Sequence, residues 1–141
     1  MGWLVLHLVA CAVLTGVAWV VQLVVYPAFA LVGPDRWVEY HAAHTRAITW
    51  VVALPWLVQG VSIAVLLLLP PPGAMGGVVV LGVLALATVV LTFAAAVPAH
   101  RRLGEAPDGG GPVLRTLMRA NLVRSLLWSA SMVVSALMIT L

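Results

Sequence analysis

Residues 47–69, AITWVVALPWLVQGVSIAVLLLL, decide the fold of this chain, because they run for 23 positions without an Asp, Glu, Lys or Arg. A helix needs about 20 mainly apolar residues to cross a hydrocarbon layer of roughly 30 Å. Three further stretches of similar length and low charge lie at about 3–26, 77–99 and 120–141. Between the second and third stretches, residues 70–73 read PPPG, and proline cannot continue a helix. We therefore predict an all-α fold: one domain, residues 1–141, forming a transmembrane four-helix bundle.

The charged residues indicate how this bundle lies in the membrane. All of them fall in two windows, 35–46 and 101–124, and all seven basic residues are arginines in or beside the first and third connections. Because an excess of Lys and Arg marks the cytoplasmic side, we expect both termini and the PPPG turn on the opposite side of the inner (plasma) membrane. The net charge of +3 favours contact with an anionic lipid bilayer over nucleic acid, since no soluble basic surface is present.

Three histidines are expected to gather at the cytoplasmic end. Gly33, Pro34 and Asp35 are typical of a helix start, which predicts a short interfacial helix before helix two. In such a helix His41 and His44 share one face, and the topology puts His100, at the end of helix three, on the same side of the membrane.

These imidazoles predict a metal site for copper, iron or zinc, with Glu39 or Tyr40 as an extra ligand or orienting group. Haem held by two of the histidines stays open. In the structural alternative, His41 and His44 face solvent or lipid headgroups, and His100 is an ordinary loop residue.

Polar residues inside the spans point to the same end of the bundle. Tyr26 lies four residues after Gln22 on helix one, while Asn121, Arg124 and Trp128 form one stripe on helix four. An Arg or Asn facing lipid is costly, so we expect both stripes to face the bundle interior. Our candidates for orienting a substrate or oxygen species are Arg124, Asn121 and Tyr26, with Trp128 and Gln22 completing a cofactor or substrate pocket.

The remaining singled-out residues have structural interpretations. Cys11 is expected to be a small buried residue. Because it is the only cysteine, an intramolecular disulfide is excluded. Trp37 should belong to an aromatic belt at the interface, as should Trp3 and Trp50. Gln59 is expected to support the helix below Pro55. No polar cluster comparable to the histidine end is expected at the opposite end of the bundle, near His7.

Four sequence segments carry a resemblance to a known family: VQLVVYP at 21–27, YHAAHT at 40–45, VPAHRRL at 97–103 and NLVRSLLW at 121–128. In this order they resemble a widespread family of small bacterial four-helix membrane proteins without an assigned function, over nearly the whole chain. More distantly, the layout is similar to the anthrone-oxygenase-like membrane proteins, which implies an Asn with a following Arg on helix four, matched here by Asn121 and Arg124. His100 stands where those proteins carry an asparagine, and Gln59 stands where the closer family implies a glutamate.

These observations favour a membrane oxidoreductase that acts on a hydrophobic or lipid-soluble substrate through a three-histidine metal site. Arg124 would stabilise a developing anion in that pocket. The alternative from another class is a non-catalytic accessory subunit or small-ligand-binding protein. For either function, a homo-oligomer or a larger membrane complex is a candidate assembly. A small multidrug transporter ranks last, because the spans hold no carboxylate for proton coupling.

Overall fold

Four long helices make up the fold. The computed structural model describes residues 1–106 and 111–140, and in these ranges the chain is helical apart from short turns and contains no strand. The helices are α1 (Gly2–Phe29), α2 (Pro34–Leu68), α3 (Met75–Glu105) and α4 (Gly111–Thr140), and each is long and apolar enough to cross a membrane. The prediction of an all-α fold with four helices long and apolar enough to span a membrane is therefore confirmed.

The helices extend beyond the predicted spans into the charged windows. α2 starts at Pro34, where we expected an interfacial helix, but it continues without a break through Arg46 into the apolar span. No helix-breaking residue separates the two parts, and a continuous helix satisfies the backbone amides as they pass from the interface into the hydrocarbon. His41 and His44 therefore lie on the same continuous helix as the apolar span.

Each helix packs against its neighbour in sequence, and α4 closes the ring against α1. The α2–α3 turn depends on Gly73, whose φ of +74° is a conformation that side chains with a Cβ rarely adopt. On α1 the buried residues recur every three or four positions and so form one face. The outward faces carry mainly Val and Leu, as expected for surfaces in lipid.

Hydrogen bonds between helices add to this packing, which matters because burial of apolar surface does not drive helix association inside lipid. Along the α1–α4 contact, Nε1 of Trp19 donates to Oγ of Ser129 at 3.1 Å, and His7 Nδ1 lies 3.0 Å from Ser135 Oγ. Such bonds contribute about 0.6 kcal/mol each in membrane proteins. They fix the register between the two helices.

Two wide π-helical turns each precede a proline. Residues Val21–Val25 form one in α1 before Pro27, and Thr92–Ala96 form the other in α3 before Pro98. A proline ring collides with the carbonyl four residues earlier and leaves it without a donor, and a wider turn relieves this crowding. The two turns immediately precede Tyr26 and the segment carrying His100, so they determine where those side chains point.

Trp37 differs from its expected position in an interfacial belt. Its side chain is only 1% exposed, and Nε1 donates to the carbonyl oxygen of Leu103 at 2.9 Å. Trp50, at 78% exposed, does lie on the outer surface. Trp37 therefore ties the start of α2 to the end of α3 instead of contacting headgroups.

Candidate functional site

A cavity of about 950 Å³ lies inside the bundle at the end that carries the charged windows. All four helices contribute to its wall, and most of the wall is apolar. Its polar side chains include Tyr26, His41, His100, Asn121 and Arg124. The volume is at the upper end of the range typical of small-molecule sites, about 300–1,000 Å³.

The cavity reaches the outer surface of the bundle between α2 and α3. The lining residues Trp50 and Phe93 are 78% and 62% exposed, and Val97 beside them is half exposed. Because these side chains lie on the apolar spans, the opening faces the region where lipid tails would lie. Arg46 and Arg101, both exposed, line the same cavity at its charged end.

His41, His44 and His100 lie close together at the polar end, although His44, unlike the other two, does not line the cavity. The ring centroids of His41 and His100 are 5.6 Å apart, and those of His44 and His100 are 6.4 Å apart. Phe29 of α1 packs edge-on against His44 at 4.9 Å and against His41 at 6.0 Å. Nε2 of His44 is buried and has no hydrogen-bond partner among the described residues.

A chain of polar contacts joins α1, α3 and α2 at this point. The hydroxyl of Tyr26 lies 3.2 Å from Nε2 of His100, whose Nδ1 lies 3.4 Å from Nε2 of His41. Protons can be donated in either direction along this chain, because each neutral imidazole has one donor and one acceptor nitrogen. The three side chains can therefore pass a proton between Tyr26 and His41.

The histidine geometry partly fits a metal site. In a tetrahedral site with metal–nitrogen bonds of 2.0–2.1 Å, two ligand nitrogens stand about 3.3–3.4 Å apart. The His41 and His100 nitrogens have this separation. Within residues 1–106 and 111–140, however, no group of three or more His, Cys, Asp or Glu side chains is arranged to hold a metal ion. A three-histidine site would require at least one ring to reorient.

Gly104, which was not among the predicted site residues, allows His41 to approach α3 closely. A Cβ at this position would lie 3.2 Å from Nδ1 and 3.4 Å from Cε1 of the His41 ring. Contacts this short require the ring to move. Its position one turn after His100 on the same helix is the sequence signal that could have identified it.

Arg124 is a partly buried cation without an acidic partner in the described part of the chain. There the only salt bridge joins Arg36 and Glu39 at the exposed start of α2. The guanidinium carbon of Arg124 lies 4.8 Å from the centroid of the Trp128 ring, and its Nε is buried without a partner. A desolvated cation–π contact stabilises by about 2 kcal/mol, whereas desolvating an unpaired cation costs several. Trp128 therefore offsets only part of that cost.

Asn121 and Gln22 are brought together, but their bonds are structural. Nδ2 of Asn121 donates to the Ala18 carbonyl at 3.1 Å and to Oε1 of Gln22 at 3.0 Å. Asn121 lines the cavity, whereas Gln22 does not. Both donor positions of the Asn121 amide are thus used to hold α4 against α1.

A second polar cluster occupies the opposite half of the bundle, so the expectation that none exists there is wrong. The fully buried His7 contacts Ser135 and also Cys11, whose Sγ lies 3.6 Å from its Nδ1. Gln59 donates to Cys11 Sγ at 3.5 Å and accepts from Trp128 Nε1 at 3.1 Å. The spacing of four between His7 and Cys11 hinted at a shared face, but their partners on α2 and α4 are distant in sequence.

Two further candidates lie away from the histidine nitrogens. The carboxylate of Glu39 is 80% exposed and pairs with Arg36 at 3.5 Å, while Tyr40 packs its ring against Phe29 at 5.8 Å. Neither side chain lines the cavity. Their role as an additional ligand or orienting group stays a prediction.

In comparisons with known proteins, no protein-family model, no curated protein and no solved structure matches this chain.

Proposed function

We propose that this protein is an oxidoreductase of the inner membrane that binds a lipid-soluble molecule in the cavity and holds a redox metal, copper or iron, with His41, His44 and His100. The observation that carries this proposal is the 3.4 Å separation of the His41 and His100 nitrogens at the polar end of an otherwise apolar cavity. The unpartnered, buried Nε2 of His44 is available as a third ligand once its ring rotates.

The chain's own residues suit a ligand on which negative charge develops during oxidation. A bound redox metal would supply the electron transfer, with dioxygen as the terminal oxidant. A metal held by Nε2 of His41 and Nδ1 of His100 would replace the hydrogen bond between these two nitrogens, and Nε2 of His100 would then keep its proton and donate it to the Tyr26 hydroxyl. Arg124, at the same end of the cavity, stabilises negative charge that develops on a ligand oxygen. The apolar walls exclude water from the reacting groups.

Metal content and absorption spectra of the detergent-purified protein test this proposal. Stoichiometric copper or iron is expected in the wild type, with a loss of most of it in His41→Ala, His44→Ala and His100→Ala. Glu39→Ala serves as the control, because it removes a potential ligand that lies outside the cavity. Absence of both stoichiometric metal and a haem absorption band in the wild type would contradict the metal site, and retention of metal in His100→Ala would contradict its geometry.

A non-catalytic ligand-binding protein or accessory subunit is the second candidate. It is favoured because both nitrogens of His100 already have hydrogen-bond partners, Tyr26 and His41. The ring is therefore held in place without a metal. On this alternative, the cavity binds its ligand and the histidines orient it. Ligand binding by metal-free protein, together with co-purification of a larger complex from native membranes, would favour this candidate.

We also propose that the charged end of the bundle faces the cytoplasm, with both termini outside, because the arginines concentrate there. Cysteine labelling tests this orientation, since the buried native Cys11 should stay silent. A membrane-impermeant maleimide added to intact cells should label Pro72→Cys in the α2–α3 turn. It should label Leu31→Cys, at an 87% exposed position in the α1–α2 connection, only after permeabilisation. The reverse pattern would overturn the orientation.

A further inference from the structure

We propose that the ligand of the cavity is a membrane-dissolved organic acid, whose oxyanion binds Arg124 and whose apolar body lies between α2 and α3. This inference rests on the proposed binding function and names its ligand class. A membrane-dissolved acid combines one anionic oxygen group with a long or broad apolar body, and the cavity offers the complement of each part.

The positive charge of Arg124 indicates that the ligand of the cavity is an anion. Its side chain lines the cavity, its Nε is buried without a partner, and no acidic side chain in residues 1–106 or 111–140 forms a salt bridge with it. Trp128 covers one face of the guanidinium and Nε is buried, so a ligand would reach Arg124 through its terminal N–H groups. A carboxylate or phenolate can accept two of these donors at once.

The depth of Arg124 favours a free acid over a phospholipid. Arg119 on the same helix is exposed, and Arg124 follows it by five residues, or about 7.5 Å along the helix axis. If Arg119 lies at the lipid surface, Arg124 lies below the level of phospholipid phosphates. A small carboxylate or phenolate can move to this depth more readily than a phosphodiester with its headgroup attached.

The opening between α2 and α3 gives such a molecule a route from the bilayer. Its exposed side chains at Trp50, Phe93 and Val97 are apolar and would face lipid tails in a membrane. Arg46 and Arg101 line the charged end of the same cavity and attract an anion toward it. An acid dissolved in the membrane can therefore enter sideways with its charged group leading toward the arginines.

Quenching of tryptophan fluorescence by brominated lipids tests the inference, because Trp50, Trp56 and Trp128 all line the cavity. The protein in phosphatidylcholine nanodiscs is titrated with dibromostearic acid and, separately, with dibromostearyl alcohol, at a pH where the acid is ionised. The acid should show a saturable component roughly tenfold to a hundredfold tighter than the alcohol, as expected for a hydrogen-bonded charge pair.

Variants at two arginines of α4 identify the group responsible. Arg124→Gln should reduce binding of the acid to the level of the alcohol, and Arg124→Lys should retain part of the difference. Arg119→Gln, which removes the same charge from an exposed position, should bind the acid like the wild type. Circular dichroism of each variant checks that the helices remain folded.

Each outcome bears on one claim. Equal binding of acid and alcohol by the wild type would overturn the organic-acid inference but leave the cavity as a binding site. Unchanged acid binding by Arg124→Gln would have the same consequence. Saturable quenching by brominated phosphatidylglycerol in place of the acid would assign the site to a phospholipid. No saturable quenching by any probe would overturn the proposed binding function as well. Acid binding by protein without metal supports the inference and is independent of the metal proposal.

Discussion

Nε2 of His41 and Nδ1 of His100 lie 3.4 Å apart, although the two residues are separated by 59 positions and belong to different helices. Two features of the fold bring them together. α2 runs unbroken from Pro34, so His41 lies on the same helix as the apolar span. The π-helical turn before Pro98 directs His100 toward His41. The site is therefore built from helices and not from mobile loops, which is the condition for a preorganised constellation.

Tyr26→Phe should weaken the site without unfolding the protein. The substitution removes the hydroxyl that lies 3.2 Å from His100 Nε2 but keeps the ring, whose centroid is 5.4 Å from that of Phe29. Loss of a partner that orients a ligating histidine typically lowers metal affinity by about 10- to 100-fold. Competition with a chelator measures this change. Tyr40→Phe, on the partly exposed face, is the matched control, and an equal effect from both variants would contradict the role of Tyr26.

Gly104→Ala should displace His41. The added Cβ would approach Nδ1 of the ring to 3.2 Å, so the ring has to shift by a few tenths of an ångström. We expect metal affinity to fall about tenfold while helix content is unchanged or slightly higher, since alanine favours helix over glycine by about 1 kcal/mol. Gly60→Ala is the control, because its Cβ would meet nothing within 4 Å. Unchanged metal binding by Gly104→Ala would contradict the claim that the close approach at Gly104 positions His41 for the metal.

Asn121→Ala should destabilise the contact between α1 and α4. Its amide donates to the Ala18 carbonyl and to Gln22, so truncation leaves two acceptors unpaired. The expected loss of unfolding free energy is about 1–2 kcal/mol, measured by denaturant titration in mixed micelles. A double-mutant cycle with Gln22→Leu should give a double variant less destabilised than the sum of the single variants. Strict additivity would mean that the two side chains do not interact.

His7→Leu should affect stability but not the histidine site. His7 is fully buried and contacts Ser135 and Cys11 in the opposite half of the bundle. It lies 19 residues before Tyr26, or about 28 Å along a helix. We expect a loss of about 1 kcal/mol in unfolding free energy, with metal content and ligand binding equal to those of the wild type. His100→Phe should show the converse, a large loss of metal with a folded bundle.

The helices could be predicted from the sequence because length, charge and proline positions are local. Runs such as 47–69 are too long and too apolar for any other common structure, and Pro34 marks the start of α2. The convergence of His41, His44 and His100 followed from topology alone. In contrast, the sequence did not predict that α2 continues unbroken through Arg46. The residues change there from charged to apolar, but the helical backbone does not change.

The rest of the site depends on contacts that no local pattern encodes. The π-helical turns arise from crowding around Pro27 and Pro98, and the close approach of Gly104 to His41 depends on how α2 and α3 pack. The His7–Ser135 contact joins residues 128 positions apart. Trp37 looked like an interfacial residue because it stands near charges, yet it is buried through its bond to Leu103.

X-ray absorption spectroscopy of the purified protein carrying one equivalent of bound copper or iron tests the central claim most directly, because it counts the atoms around the metal. The proposal predicts about three imidazole nitrogens at roughly 2.0–2.1 Å, with the characteristic outer scattering of histidine rings, and one nitrogen fewer around the residual metal that His44→Ala retains. A shell made only of oxygen atoms, or a spectrum unchanged by replacement of any of the three histidines, would contradict it.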